Sequence, residues 1–240
     1  MPRVPFGVKP TKLRSSRGHA GGCVNFIREA SEDQLVLYRR PGYTLGGTAG
    51  STGGHRAALE ASDTAYVVVG GSVYSMDTSY STTLLGSLQT ISGRVSMSWD
   101  GTYLVIVDGS FLYTYNSDTG TFSRHSDTDI LANPTHVSFS DGFHFIVTLN
   151  GQIATHETSY RPDGNWDALD FATAEYSPDR LRTIIADKGN LFMIGDETTE
   201  PWEYDNNSQA LPLRPIRAGY MEYGTMAEWS ATKYDNSVVW

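Results

Sequence analysis

The sequence has few of the features that produce covalent cross-links, metal clusters or membrane spans. Cys23 is the single cysteine among 240 residues, which excludes an intrachain disulfide and a cysteine-rich zinc site and suits synthesis in a reducing cytoplasm. Hydrophobic runs such as Leu104–Val107 have the length of a strand, far below the roughly 20 residues of a membrane-spanning helix. No apolar segment follows the first basic residues, so we predict no Sec-type signal peptide.

Helical periodicity and nucleotide-binding or nucleophile motifs are also scarce. The only stretch that could form a helix, a short one, lies near Trp166–Glu175. Gly-x-Ser-x-Gly is absent, and the glycine-rich segment Gly46–Gly54 lacks the lysine of a phosphate-binding loop. These absences argue against catalysis by a nucleophilic side chain and against nucleotide hydrolysis. We predict no catalytic residue, no cofactor and no metal site, and a protein that is not an enzyme.

Positive charge is concentrated at the N-terminus. Residues 1–40 carry eight basic and three acidic residues, a net charge of +5, whereas the whole chain has a net charge of −9 and the remainder therefore −14. We predict that residues 1–24 form an extended basic arm and that residues 25–240 form the folded domain. The arm would dock on an anionic neighbouring subunit or on nucleic acid, or else remain a solvated terminus. Its basic residues are Arg3, Lys9, Lys12, Arg14 and Arg17.

An internal repeat organises the rest of the chain. Val95–Gly109 and His136–Gly151 each contain an alternating strand, an Asp-Gly pair, an apolar strand and a second Asp/Asn-Gly pair. Asp-Gly pairs are typical of two-residue type I′ hairpin turns, because both central positions need a positive φ. The pattern recurs more loosely along the chain, and an aspartate marks each copy: Asp63, Asp100, Asp141, Asp187 and Asp235.

A repeat of about 40–50 residues with four strands is typical of a β-propeller blade. The sequence therefore predicts an all-β propeller-like array of about four to five antiparallel four-stranded blades, preceded by the extended arm. Four blades can close a ring. The alternative is that they are the first blades of a larger ring, which the strand interrupted at Trp240 favours.

Several segments, in order, carry a resemblance to a known family. They include Gly22–Glu29, Leu37–Tyr43, Ser92–Met97, Trp166–Glu175 and Tyr234–Trp240. From about Arg14 to Trp240 the chain resembles the packaged DNA stabilisation protein family, a tail accessory or hub component of short-tailed bacteriophages. One departure is Pro201, where the family has an apolar residue. Since proline donates no ladder hydrogen bond, we predict an edge strand or a bulge there.

The resemblance implies a structural role in the virion tail, after synthesis in the host bacterial cytoplasm. Copies of the chain would form a ring, a hexamer in the family, below the portal and adaptor proteins. The ring would extend the DNA channel, help to retain packaged DNA and support the tail needle or tailspike. The acidic body would suit a channel surface that lets DNA pass without specific binding, since DNA binding requires that phosphates be neutralised. No membrane partner is implied.

Two alternatives use particular residues. A carbohydrate-binding or glycoside-hydrolysing propeller would need arginines, a tyrosine and acids that converge at the axis; the candidates are Arg94, Arg124, Arg180, Arg182 and Tyr220. A metal site could use His136, His144 and His156 near Asp141, if the first two histidines face each other across the turn. Histidines in strands more often hydrogen-bond to the backbone or to solvent, and zinc needs three or four converging ligands.

Overall fold

The computed structural model of the chain describes residues 26–31, 34–39, 45, 47–125, 133–148, 150–166, 171–173, 179–206, 211–234 and 237–240. They belong to two compact units, Met1–Leu45 and Gly46–Trp240. In the first unit, β1 (Phe26–Ser31) and β2 (Gln34–Arg39) pair as an antiparallel hairpin. The predicted arm and its boundary with the folded domain lie outside the described residues, together with Arg3, Lys9, Lys12, Arg14 and Arg17.

The second unit contains four antiparallel four-stranded sheets, which we call blades A to D. Blade A consists of β3 (His55–Ala61), β4 (Thr64–Val69), β5 (Ser72–Met76) and β6 (Thr82–Ser87). Blade B consists of β7 (Ser96–Trp99), β8 (Tyr103–Val107), β9 (Leu112–Asn116) and β10 (Thr121–Arg124). Blade C consists of β11 (Pro134–Ser140), β12 (Phe143–Thr148), β13 (Gln152–Thr155) and β14 (Phe171–Thr173). Blade D consists of β15 (Leu181–Asp187), β16 (Asn190–Gly195), β17 (Thr199–Tyr204) and β18 (Leu213–Pro215).

The arrangement of these sheets confirms the predicted propeller. Within each blade the strands pair in sequence order, and the first strands of consecutive blades contact each other: β3 with β7, β7 with β11, and β11 with β15. After blade D, β19 (Thr232–Tyr234) and β20 (Ser237–Val239) form a separate antiparallel hairpin. The first strands therefore lie innermost, and the blades stack side by side around them.

In blades B and C the second strand is buried on both of its faces. Successive side chains of β8 alternate, so that Leu104 and Ile106 pack in the core between blades A and B, while Val105 and Val107 pack in the core between blades B and C. In β12, Phe145 lies in the C–D core and Ile146 in the B–C core. This double burial explains the continuous apolar runs of the repeat, which lack the alternation expected of a half-exposed strand.

The turns match the predicted type I′ geometry only in part. Asp141 and Gly142 have φ of 51° and 89° and link two directly paired strands, as expected. At the other Asp/Asn-Gly pairs the prediction was wrong, because only the glycine, Gly101, Gly109 or Gly151, has a positive φ. The loops after β7 and β8 have three and four residues, and the Asp carboxylate at the start of each accepts hydrogen bonds from backbone N–H groups two and three residues further along.

Two further predictions need correction. Within Trp166–Glu175, where a short helix was expected, residues 171–173 form the strand β14, and residues 167–170 and 174–175 lie outside the described residues. The only helical turn among the described residues is Arg217–Gly219. Pro201 lies in an interior strand without a bulge, paired with Phe192 of β16. Its carbonyl accepts the N–H of Ile216, so the backbone nitrogen of Pro201 faces the outer side of the blade and the β16 ladder loses no hydrogen bond.

The part of the chain that the structure describes has no helix with the length and apolarity that crossing a membrane would require.

The crowding around Gly142 predicts a stability effect. A Cβ at Gly142 would lie 2.9 Å from the Tyr160 ring, whereas a Cβ at Gly109, with a similar φ of 85°, would meet open space. We expect Gly142→Ala to lower the free energy of unfolding by about 1–2 kcal/mol more than Gly109→Ala, because both share the backbone strain and only one overpacks. Urea unfolding of the two variants measures the difference. Equal losses would contradict the packing argument.

Candidate functional site

The joint between blades A and B is built around a buried arginine. Arg56, on the innermost strand β3, is 9% exposed and donates to four backbone carbonyls, those of Gly70, Thr90, Ser92 and Gly93, and to the Thr90 hydroxyl. The nitrogen-to-oxygen distances of these hydrogen bonds lie between 2.7 and 3.0 Å. One side chain thus fixes the linker that leads from blade A into blade B, and burial lowers the pKa of its guanidinium.

This joint continues into blade B through buried polar groups. The Thr90 hydroxyl donates to Asp108 Oδ2 over 2.7 Å, and the Tyr113 hydroxyl donates to the same oxygen over 3.1 Å. Tyr113 also accepts the N–H of Gln89. Burial, with the Asp108 carboxylate beside it, raises the pKa of Tyr113 to about 12. The positive charge of Arg56 and the negative charge of Asp108 are therefore linked through one threonine.

The joint between blades B and C is a second buried network. Ser98 Oγ lies 2.7 Å from His144 Nδ1, and His144 Nε2 lies 3.1 Å from Asp100 Oδ2. His156 Nε2 accepts the backbone N–H of His144, and His156 Nδ1 lies 2.8 Å from the carbonyl of Thr158. Carboxylate and carbonyl oxygens only accept, so His144 carries its proton on Nε2 and His156 carries its proton on Nδ1.

The environment of this network determines its protonation. Burial lowers the pKa of His144, and burial with His144 nearby lowers the pKa of His156 to about 4. Burial alone would raise the pKa of Asp100, but hydrogen bonds from His144 and from two backbone N–H groups lower it. At neutral pH the network therefore contains neutral histidines and an ionised Asp100.

Ser98, His144 and Asp100 have the residue types of a catalytic triad but not its accessibility. His144 is fully buried and Ser98 is 7% exposed, so the hydroxyl is not open to a substrate. The serine and the histidine come from different blades, and Tyr103 of blade B adds a hydrogen bond to Asp163 of blade C. The arrangement holds two sheets together, and it gives no support for nucleophilic catalysis.

Small hydroxyl side chains link the innermost strands directly. Ser96 Oγ on β7 accepts the backbone N–H of Val137 on β11, and Ser138 Oγ on β11 accepts the backbone N–H of Ala186 on β15. Between blades C and D an apolar core completes the joint, with Phe145, Leu191 and Trp202 among its buried members. Each pair of neighbouring blades is thus fixed both by apolar packing and by buried hydrogen bonds.

The segment after blade D returns along the innermost strands of earlier blades. Trp229 stacks against the buried His136 of blade C, with ring centroids 4.1 Å apart, and the Arg94 guanidinium lies 5.7 Å from the Trp229 ring. Arg182 of blade D pairs with Asp196 and with Glu228, the latter at 3.1 Å. Burial lowers the pKa of His136 to about 4, although the Glu228 backbone opposes this change.

The structure does not bring together the residues that a glycoside hydrolase would need. Arg94 and Arg182 lie near residues 228–229, but Arg124 is on the outermost strand β10, where it stacks on the Phe111 ring at 4.9 Å. Tyr220 lines a cavity of about 510 Å³ beside β17 and β18 with Glu200 and Trp202. The five predicted candidates are therefore spread from the inner to the outer strands.

The three histidines of the hypothetical metal site do not converge on one point. His136 is paired in register with Val147, and His144 with Phe139, so the prediction that His136 and His144 face each other was wrong. His144 and His156 use their ring nitrogens in the B–C joint, and Asp141 accepts the hydroxyl of Ser140. Within the described ranges no three Asp, Glu, His or Cys side chains cluster as metal ligands.

Charge is distributed unequally between the two faces of the array. The turns after the first and third strands lie on one face, which we call the turn face, because alternate strands of a blade end on the same side. Among the described residues its exposed acidic side chains are Asp63, Asp77, Asp118, Asp141, Glu157 and Asp163, against the basic Arg161 and Lys188. On the opposite face the exposed basic side chains of the described chain are Arg94, Arg124, Arg180 and Arg217, against the acidic Glu197 and Glu222.

Comparison with known proteins identifies the family. The sequence profile of the Phage_stabilise family, described as Bacteriophage P22 Gp10, beta-propeller, matches residues 24–240. The chain belongs to this family. Its members are structural phage proteins, and the propeller named by the Phage_stabilise description is the fold observed here. No curated protein matches the sequence.

The fold of this chain is similar to that of a solved structure with little sequence identity. The computationally designed Ika8 protein superposes with a TM-score of 0.56 at 13% identity, covering 91% of this chain and 65% of that one. The extracellular domain of a hybrid two-component system from B. thetaiotaomicron gives 0.49 at 15% identity over 70% and 22%, and a nidogen/laminin complex gives 0.48 at 9% over 71% and 64%. The chain spans less than two thirds of each matched structure.

Sequence reasoning missed the residues that fix the joints. Arg56, Ser98 and Trp229 were not singled out, and Asp100 was noted only as a turn marker. A single signal was available: Arg56 is a charged residue within a strand of mostly small apolar residues, His55–Ala61. Three of its four carbonyl acceptors belong to a linker 34 to 37 residues away, which no local pattern specifies.

Removing the Arg56 guanidinium should destabilise the propeller. We expect Arg56→Met to lower the free energy of unfolding by about 3 kcal/mol, because four carbonyls lose their donor and Asp108 loses its countercharge. Arg56→Lys should rescue little, since an ammonium cannot reproduce the five-donor fork. Arg124→Met, at an exposed stacked arginine, serves as the control in the same denaturant titration. A loss equal to that of the control would contradict the proposed joint.

The buried histidines predict a loss of stability in acid. The pKa values of His136, His144 and His156 are lower in the folded chain than the ordinary value of about 6.5, so the unfolded chain binds more protons below that pH. Stability should be fully present above about pH 6.5 and fall as the pH decreases toward 4.

Chemical unfolding at pH 7.5 and pH 5 measures this loss. His136→Phe keeps an aromatic ring against Trp229 and removes one titrating group. The variant should lose on the order of 1–2 kcal/mol less than the wild type between these two pH values. An unchanged pH dependence in this variant would contradict the assignment of His136.

Proposed function

We propose that this chain is a structural tail component of a short-tailed phage, which assembles with copies of itself below the portal and adaptor, extends the DNA channel and helps to retain packaged DNA. The observation that carries the proposal, beside family membership, is the set of joints through Arg56, Ser98–His144 and Ser138, which make consecutive blades a stiff body. The protein would act through assembly rather than turnover, in the virion, with the tail needle or tailspike as further partners.

The charge distribution supports a surface that does not grip DNA. Counted over the described residues, six exposed acidic side chains on the turn face outnumber two basic ones, and a duplex binds only where its phosphates are neutralised. The turn face is therefore our candidate for the surface nearest to DNA in transit. Its acidity has a structural origin as well, because Asp77 accepts backbone N–H groups of Ser79 and Ser81 within its turn.

The basic arm is proposed to hold the assembly together. Arg3, Lys9, Lys12, Arg14 and Arg17 provide five positive charges in a chain whose net charge is −9, so a neighbouring copy or adaptor with an acidic surface would attract the arm. Repeated contacts between one surface and a different surface of the next copy close into a ring when the rotation allows it.

The arm proposal predicts the behaviour of a neutral-arm variant. Replacing these five residues by Gln should abolish co-sedimentation with the portal–adaptor complex and ring formation in negative-stain images. The melting temperature should stay within about 2 °C of the wild type, because the substitutions lie outside the blades.

A double variant of exposed blade arginines, Arg161→Gln with Arg214→Gln, is the control and should assemble normally. Rings that form unchanged with the neutral arm would refute the arm's role. A wild-type chain that stays monomeric with the portal–adaptor complex and hydrolyses or tightly binds glycans would overturn the structural role itself.

A further inference from the structure

A cavity with basic residues in its lining lies where the innermost strands of blades A and B begin. It has a volume of about 510 Å³, and its lining includes His55, Arg56, Arg94, Ser96 and Trp229. None of the described residues that line it is acidic, although the chain as a whole has nine more negative than positive charges. A cavity of this size accommodates a small molecule.

The three basic residues of this cavity differ in what they can still bind. Every guanidinium nitrogen of Arg56 already donates within the A–B joint, so Arg56 contributes its positive charge but no free donor. Arg94 is exposed and forms neither a hydrogen bond nor an ion pair with the described residues, and its guanidinium lies over the Trp229 ring. His55 is exposed as well and likewise has no side-chain hydrogen bond to a described residue.

The neighbouring backbone leaves room for a ligand. A Cβ built on Gly93 or on Gly54 would meet nothing within 4 Å, so the chain beside Arg94 and before His55 does not fill the space. Trp229 is 37% exposed beside Arg94 and presents an indole surface at the same cavity. The cavity thus brings together the Arg94 guanidinium and the His55 ring, the positive charge of Arg56 behind them and the indole of Trp229.

We propose that this cavity is a phosphate-binding site that takes a phosphate ester of nucleotide size, either as a free nucleotide or at the end of a DNA strand. A phosphate oxygen pair matches the planar fork of the Arg94 guanidinium, and its second charge suits the additional positive potential of Arg56. His55 supplies a second donor, and the Trp229 indole packs against the sugar or base. The site does not depend on the proposed tail assembly.

Binding to the intact chain tests the proposal. Isothermal titration with deoxyadenosine monophosphate at low salt should give saturable binding, weakened by added salt. Arg94→Gln should weaken it by about tenfold or more, because it removes the charge and keeps the length of the side chain. Arg124→Gln is the matched control, since Arg124 also stacks on an aromatic ring and is far from the cavity, and it should bind within about twofold of the wild type.

Further titrations distinguish a free nucleotide from the end of a DNA strand as the source of the phosphate. Tighter binding of a 5′-phosphorylated single-stranded oligonucleotide than of its unphosphorylated form would assign the site to a strand end, and equal affinity for the free nucleotide would assign it to the nucleotide. Thermal melting measures whether Arg94→Gln is folded. If that variant is unfolded, His55→Gln, which should also weaken binding, tests the site instead.

Three results would overturn the proposal. One is absence of saturable binding up to about 10 mM of the nucleotide. Another is binding that both Arg94→Gln and His55→Gln leave unchanged. The third is selective binding of an acidic peptide without any binding of phosphate.

Discussion

A blade of a propeller has two faces, and neither can be covered by the blade itself. In this chain the constraint is visible in strands β8 and β12, whose side chains pack alternately against the preceding and the following blade. Burial of apolar surface is non-directional, so it brings sheets together but leaves their relative positions loosely defined. Directional contacts are needed to fix one arrangement.

The buried polar joints between the blades provide these directional contacts. Arg56 reaches carbonyls on the linker between blades A and B, and His144 of blade C reaches Ser98 and Asp100 of blade B. Each network is satisfied by specific partners, so sliding one blade against another would leave buried donors or acceptors without a bond. For a protein that would hold neighbours in register, this resistance to sliding matters more than the total stability.

The fold could be predicted from the sequence because its signals are local and repeated. The turn aspartates and glycines, the apolar second strands and their spacing are sufficient for consecutive four-stranded blades. The joints could not be predicted, since the partners of Arg56 and His144 lie in other blades. Turn details failed for a related reason: at Asp100 and Asp108 the carboxylate itself bonds to the backbone, which favours a longer loop over the expected two-residue turn. The basic arm lies outside the described residues, and its role remains a proposal.

The double burial of the second strands has a consequence for how such sequences can diverge. In β8, a change at Leu104 or Ile106 must be accommodated by blade A, whereas a change at Val105 or Val107 must be accommodated by blade C. Adjacent residues of this strand thus pack against different blades. Among relatives, odd and even positions of this strand should therefore co-vary with different blades. A blade transferred from one relative to another should be accommodated only when its two flanking blades are transferred with it.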